Sequence, residues 1–300
     1  MAEERSADPE EHPVRNTTLI MAFQGWSDAG DAASMAVNHI RRQTRAKRVE
    51  TIDSDDYFDF TVVRPVVHID ETGVRRLTWP ETRFYLTPSE DEGSDLLYCV
   101  GIEPQLRWKS FARTILDTAE SYGVSKVVSL GALASEVSHN RHVRVIGTTS
   151  DTALGGSLNM QPSRYEGPTG ILGVLQGAFQ NQQIPSVSLW ANVPHYVAQT
   201  PSPKAALALV RRVSLLLERT FDTTTLENAA KDYVHQIDEL VSADDEIRSY
   251  IEQIESQEDD DEVTFPPEDE ISSAEPLTMT SGDELASEAE FFLRQQGRLE

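Results

Sequence analysis

The sequence has one cysteine, Cys99, in 300 residues, so it holds no disulfide framework and no cysteine-based zinc or iron–sulfur site. Basic residues are also scarce: 26 Lys+Arg face 50 Asp+Glu, for a formal net charge of −24. That balance leaves no basic stripe to displace counterions from nucleic acid, and it disfavours docking on anionic lipid. No apolar run approaches the ~18 residues of a membrane span. The acidic N-terminus lacks the apolar centre of a signal peptide, so a cytoplasmic protein is expected. Chemistry-bearing motifs are missing as well. There is no G-x-x-x-x-G-K-[ST] phosphate cradle, no G-x-S-x-G nucleophile elbow, no H-E-x-x-H and no G-x-G-x-x-G fingerprint.

What is present is organised by charge. Residues 1–14 hold five acids and one base, residues 15–220 hold 21 of each, and residues 221–300 hold 24 acids and four bases. An electroneutral body therefore carries a strongly acidic C-terminal appendage. The expected division is a disordered acidic N-terminus (1–14), an α/β domain (15–220), a helical extension (221–256), a disordered acidic linker (257–280) and a short C-terminal helix (281–300).

Within the body, short apolar runs alternate with helical spacing. Strands are predicted at 18–23, 48–52, 83–86, 96–100, 126–130, 144–148 and 185–190, and a hairpin at 65–79 around Asp70-Glu71-Thr72-Gly73. Helices are predicted at 29–40, 105–122, 168–180 (with Pro168 near its first position) and 203–217. This alternation implies a layered α/β sheet with helices on its faces. Further on, Leu226, Ala230, Tyr233, Ile237, Leu240, Ile247, Ile251 and Ile254 recur about every 3.5 residues, with Asp244 in the one missing position. Such a seam is either a coiled coil with another chain or a helix pair folded onto the chain's own body. Near the end, Leu285, Ala289, Phe292 and Leu293 line one face of a short predicted helix on an acidic tether, suited to docking on a partner or to capping the protein itself.

The candidate functional residues follow predicted strands. Ser27 and Asp28, in the Gly25–Gly30 turn, are read as helix caps, with a ligand role as the alternative. Gly167-Pro168-Thr169-Gly170 serves either close packing or an anion at a helix N-terminus. His139, His142 and His195 lie in loops without the converging spacing of a zinc site, and they are read as structural or interface histidines. The expected lining of a pocket or interface is Trp26, Asp28, Glu103, Trp108, Arg141, Glu166, His195 and Tyr196. The expected partner-docking residues are Leu226, Tyr233, Ile237, Leu240, Ile247, Ile251, Ile254, Phe292 and Leu293. No catalytic residue, metal or cofactor is assigned.

Several longer segments carry a resemblance: GWSDAGDAAS (25–34), DSDDYFDF (53–60), GIEPQLRW (101–108), LGALASEVSHNR (130–141), YEGPTGILGVL (165–175) and LWANVPHYVAQTPSPKAALAL (189–209). Together they resemble the PAC2 family, the proteasome-assembly-chaperone-2-like proteins, in its actinomycete-type branch, over roughly residues 15–255. The resemblance implies a three-layer α/β/α sandwich of nucleoside-phosphorylase type with a helical acidic extension. It implies self-association, with a trimer as the expected form, and a chaperone or adaptor role near proteasomes. Some members dock on proteasomes through a hydrophobic–Tyr–any tail. This chain ends Arg298-Leu299-Glu300, so docking by that route is not expected. Two functional classes follow: a non-catalytic assembly or adaptor protein, and a binder or enzyme for nucleosides or phosphate esters in a strand-end cleft.

Overall fold

The structure, a computed structural model, describes residues 16–89, 94–149, 160, 162–163 and 165–258. In chain order the elements are β1 (Thr17–Gln24), α1 (Ala32–Gln43), β2 (Lys47–Ile52), β3 (Val66–Ile69), β4 (Arg75–Thr78), β5 (Thr82–Thr87), β6 (Asp95–Ile102) and α2 (Trp108–Ser121). They continue with β7 (Val124–Ser135), β8 (Val145–Thr149), α3 (Ile171–Asn181), β9 (Ser186–Pro194), α4 (Pro203–Leu217), α5 (Thr224–Ser242) and α6 (Asp245–Glu258). The candidates Phe292 and Leu293 lie outside the described residues.

Seven strands form one mixed sheet in the order β2-β5-β6-β1-β7-β9-β8. The middle four, β6, β1, β7 and β9, run parallel, while β5 and β8 flank them antiparallel. Parallel strands are buried on both faces and so read as unbroken apolar runs. In β1 the alternation sorts them: Ile20 and Ala22 face α1, α4 and α5, whereas Leu19, Met21 and Phe23 face α2 and α3. A helical layer thus packs on each face of the sheet. Cys99, in β6, is fully buried, and burial pushes its thiol far above the ordinary value. No helix among the described residues is long and apolar enough to cross a membrane.

The element ends differ from the sequence expectation for local reasons. α1 begins at Ala32, not Ala29, because Gly30 and Asp31 adopt left-handed backbone (φ 59° and 50°). Gly30 is held there by Ala198 O and Ser202 N, at 2.8 and 2.7 Å. α2 begins at Trp108 because Gln105 and Leu106 donate their backbone N–H groups to Tyr57 O and Arg107 turns left-handed. α3 begins after Gly170, so Pro168 lies upstream of the helix instead of in its first turn. In α4, by contrast, Pro203 does occupy the first turn, capped by Ser202 Oγ accepting from Ala205 N.

The seam is not one helix. It breaks at 243–244, where Asp244 fills the missing apolar position and its carboxylate accepts from the N–H groups of Glu246 and Ile247. α5 and α6 fold back as a pair, and α5 packs on α4. Leu226, Tyr233, Ile237, Ile251 and Ile254 are buried within the chain, not presented to a partner; only Leu240 and Ile247 of the seam stay exposed.

β3 and β4 stand apart from the main sheet as a two-stranded ribbon. Every residue of both strands is exposed, including Val66 at 64%, Ile69 at 74% and Leu77 at 54%. Trp79, just beyond, packs edge-on against Phe60.

Gly131 of β7 lies opposite Trp190 of β9, and a Cβ there would stand 2.4 Å from Trp190 Cε3. Gly131→Ala should therefore destabilise the protein by ~1–3 kcal/mol through overpacking. The expected readout is a lower urea midpoint with an unchanged slope. An unchanged midpoint would mean that the indole has room to swing away.

Candidate functional site

The expected lining residues divide between two places at the C-terminal edge of the parallel strands. The first lies where β1 ends between β6 and β7, the position at which strand order reverses. Gly25, at φ 125°, lets the chain turn against Glu103, whose Cβ would be 3.2 Å from a Cβ on the glycine. The Glu103 N–H donates to Gln24 O at 2.8 Å, and its Oε1 accepts from the N–H of Ile171, the first residue of α3, at 2.7 Å. A Cβ on Gly170 would stand 2.8 Å from both Glu103 Oε1 and Ser27 Oγ and 2.9 Å from Trp26 Cε3. Trp26, Ser27, Glu103 and the start of α3 therefore meet around a position where only glycine fits.

Asp28 performs the same service for α1. Its Oδ1 accepts from the N–H groups of Ala33 (2.6 Å) and Ser34 (3.3 Å). Burial pushes its carboxyl up to about 6, against opposing hydrogen bonds from Ser34 and Ala33. Both carboxylates thus neutralise the positive end of a helix and occupy the N–H groups that an anionic ligand would use. Ser27 Oγ is buried and has no hydrogen-bond partner among the described residues. Trp108 is half-buried in the α2 layer, its indole N–H donating to Pro104 O. Glu166 is exposed in the loop before α3.

The second place is where α5 and α6 cover the ends of β7 and β9. The His139 side chain is buried; its Nε2 is 3.0 Å from Asp238 Oδ1, and its Nδ1 is 2.7 Å from the Tyr196 hydroxyl. That hydroxyl also accepts from the His139 backbone N–H at 2.8 Å. A neutral ring donating from Nε2 and accepting at Nδ1 satisfies all three contacts. His195 bridges Ser135 O and the Tyr250 hydroxyl at 3.3 and 3.1 Å. Ser138 Oγ and Asn140 Nδ2 donate to Glu255 Oε1, and Arg141 reaches Glu255 O at 3.4 Å. The Lys204 ammonium is turned onto the carbonyls of His139 and Arg141, and burial lowers its pKa. Burial raises Tyr196 to about 12.

Arg141, His195 and Tyr196 thus belong to a latch between the body and its helical extension, whereas Trp26, Asp28 and Glu103 belong to the β1 end. Sequence reasoning missed Ser138, Lys204, Asp238, Tyr250 and Glu255. Their partners lie 55 or more residues away in the chain, and only the polar positions within the α5–α6 seam could have pointed to the last three. Beside the latch, Tyr196, Val197, Ile237, Leu240, Ile247 and Tyr250 line a mostly apolar groove of about 460 Å³.

Residues 22–241 match the PAC2 family profile. The chain belongs to the PAC2 family. The matched PAC2 region takes in both places described above but stops within α5, so α6, which supplies Tyr250 and Glu255, lies beyond it. A PAC2 family protein from Streptomyces avermitilis is 43% identical, covers 79% of this chain and all of its own, and superposes with a TM-score of 0.72. A proteasome-assembly chaperone homologue from Mycobacterium tuberculosis is 38% identical, covers 78% of this chain and all of its own, with a TM-score of 0.70. The archaeal proteasome activator PbaB of Pyrococcus furiosus shares the fold at 18% identity, covering 77% of this chain and 96% of its own, with a TM-score of 0.62. No curated protein matches the sequence.

Two expectations follow for this PAC2 protein. The folded chain holds the Asp28 proton more tightly than the unfolded chain does. Asp28's contribution to stability is therefore greatest below about pH 4 and is lost as pH rises through about 6, at up to ~1.4 kcal/mol per pH unit. Asp28→Asn keeps an acceptor for Ala33 N–H and cannot ionise. Thermal melts should show wild type losing ground to the variant between about pH 4 and 6 and running parallel to it above about pH 7; a constant difference throughout would refute the raised carboxyl. Tyr196→Phe removes the partner of two buried His139 groups, at a cost of ~1–3 kcal/mol. Hydrogen exchange should quicken in α5 and α6 while the sheet amides stay protected; uniform quickening would mean that the latch is not a separate unit.

Proposed function

We propose that this PAC2 protein acts without turnover chemistry, as an assembly chaperone or adaptor working through contacts with further copies of itself and with a proteasome-related protein. The observation that carries this reading is the β3–β4 ribbon. An isolated two-stranded ribbon is marginal in water, and one that exposes Val66, Val67, Ile69, Leu77 and Trp79 is an unfinished surface. Both of its strands are edges whose free backbone groups can extend a neighbouring sheet. The electroneutral body, residues 15–220, lets copies approach without long-range repulsion. The names of the mycobacterial and archaeal relatives, proteasome-assembly chaperone homologue and proteasome activator, support a proteasome-related partner.

A second reading, a binder of nucleosides or phosphate esters, draws on the unpartnered Ser27 Oγ at the strand-reversal point. It competes with Glu103 and Asp28, whose carboxylates already hold the helix N-termini there. A thermal-shift screen with nucleosides and phosphate esters separates the two readings. A ligand at 100 times its Kd would add ~2.7 kcal/mol, and no shift is expected.

Light scattering on the full chain should give a multiple of the 33.4 kDa protomer, three on the trimer expectation. Ile69→Lys with Leu77→Lys, both at exposed positions, should lower that mass toward a protomer and weaken recovery of proteasome subunits on the immobilised protein. A monomeric wild type, or an unchanged mass and unchanged recovery in the variant, would remove the ribbon from the function.

A further inference from the structure

The groove beside the latch is a different surface from the ribbon, formed mostly by the acidic helical extension. Its apolar lining comes from Tyr196 in the turn after β9, Ile237 and Leu240 on α5, and Ile247 and Tyr250 on α6. Leu240 and Ile247 are 67% and 41% exposed, although the same seam buries its other large apolar residues. The pair of helices thus satisfies its inner stripe against the body and leaves a second apolar stripe open between its outer halves.

The helices that form most of this groove carry a strong excess of negative charge. Residues 224–258 contain ten acids (Glu227, Asp232, Asp238, Glu239, Asp244, Asp245, Glu246, Glu252, Glu255 and Glu258) against Lys231 and Arg248. Glu246 lines the groove itself, and Tyr250, on its lining, has its hydroxyl pKa raised by burial and then by the negative charge of Glu136. The nearby cations are engaged: Arg248 Nη1 lies 2.9 Å from Asp245, and the Lys204 ammonium faces two backbone carbonyls. His235 is 3.5 Å from Glu239.

We infer that the groove binds a basic amphipathic helix of another protein, with two or three apolar side chains seated between Leu240 and Ile247 and lysines or arginines meeting the acidic rim. The volume, about 460 Å³, suits a few large side chains, and an apolar face laid in a groove is a recurrent mode of helix recognition. Charge decides between occupants. The chain's own remaining segment, 259–300, holds 13 acids and two bases, and the helix pair of a second copy is equally acidic, so both would meet like charge. A basic helix gains attraction at the rim as well as burial at the centre. This inference rests on the adaptor reading and gives it a partner chemistry.

The test uses the full chain and a fluorescent Lys/Leu peptide of about 14 residues, ~21 Å as a helix, with leucines at helical i, i+3, i+4, i+7 spacing. Fluorescence anisotropy should show saturable binding that weakens with added salt. Leu240→Ser with Ile247→Ser leaves every charge in place and alters only exposed side chains, so the fold is retained; binding should fall at least about tenfold. A Lys/Ser peptide of equal charge should bind the wild type correspondingly less, and a Glu/Leu peptide should not bind. Absence of binding, including absence because the chain's own tail or a second copy fills the groove, overturns the inference. So does equal binding of the Lys/Leu and Lys/Ser peptides, or no effect of the double variant, since either would reduce it to attraction by an acidic surface. Ribbon variants report on self-association and proteasome recovery independently, so this inference can fail while the adaptor reading stands.

Discussion

The fold depends on β1 being paired in parallel on both sides at once, with β6 and with β7. Parallel ladders cannot be closed by short turns, so each neighbour must return over a face of the sheet. That requirement puts α2 on one side and sends α1 to the other, and it leaves the C-terminal ends of β1, β6 and β7 side by side at one edge. Everything offered there is set by how the chain leaves β1: the Gly25 turn, the Ser27 carbonyl accepting from Ala132 N at 2.9 Å, and the Asp28 carboxylate under α1.

At that edge, acidic side chains hold the framework together. In many α/β proteins a strand-end helix N-terminus is free to receive an anion. Here Asp28 and Glu103 fill two such ends from within the chain, and Glu103 joins the β6 end to α3 across 68 residues of sequence. The cost is a buried carboxyl at Asp28 that resists ionisation; the return is two helices anchored to the sheet. Around β7 and β9 the logic differs. There polar groups from the loops are matched one by one to groups on α5 and α6, so the extension is keyed to the body by direction-dependent contacts as well as apolar burial.

Most of the architecture was legible in the sequence because its signals are local. Unbroken apolar runs mark buried parallel strands, the Asp70–Gly73 turn marks the ribbon, and Pro203 after Ser202 marks the start of α4. Two of the misplaced helix starts follow left-handed residues in segments tied to distant parts of the chain: Gly30 is bonded to Ala198 and Ser202, and Gln105 and Leu106, just before Arg107, are bonded to Tyr57 O. The seam of α5 and α6 was legible as a period, but not as a choice between cis and trans packing, which depends on what the body offers. The candidate residues were legible as strand-end positions. Their division into two places was not, since it follows from strand order, and His139 became a buried residue only because Asp238 and Tyr196 come to meet it.

The latch also has a place in time. Asp238 lies 99 residues after His139, and Glu255 lies 117 after Ser138. At roughly 5–20 residues per second, a ribosome needs ~5–20 s to supply α5 after the loop it covers has been made. For that interval the loops after β7 and β9 lack their partners on α5 and α6, and only the contacts within the body, such as His139 with Tyr196 and Lys204, can form; the nascent body is also less acidic than the whole sequence. The segments that shut these loops away are made well after them and lie in the C-terminal region that carries most of the sequence's negative charge.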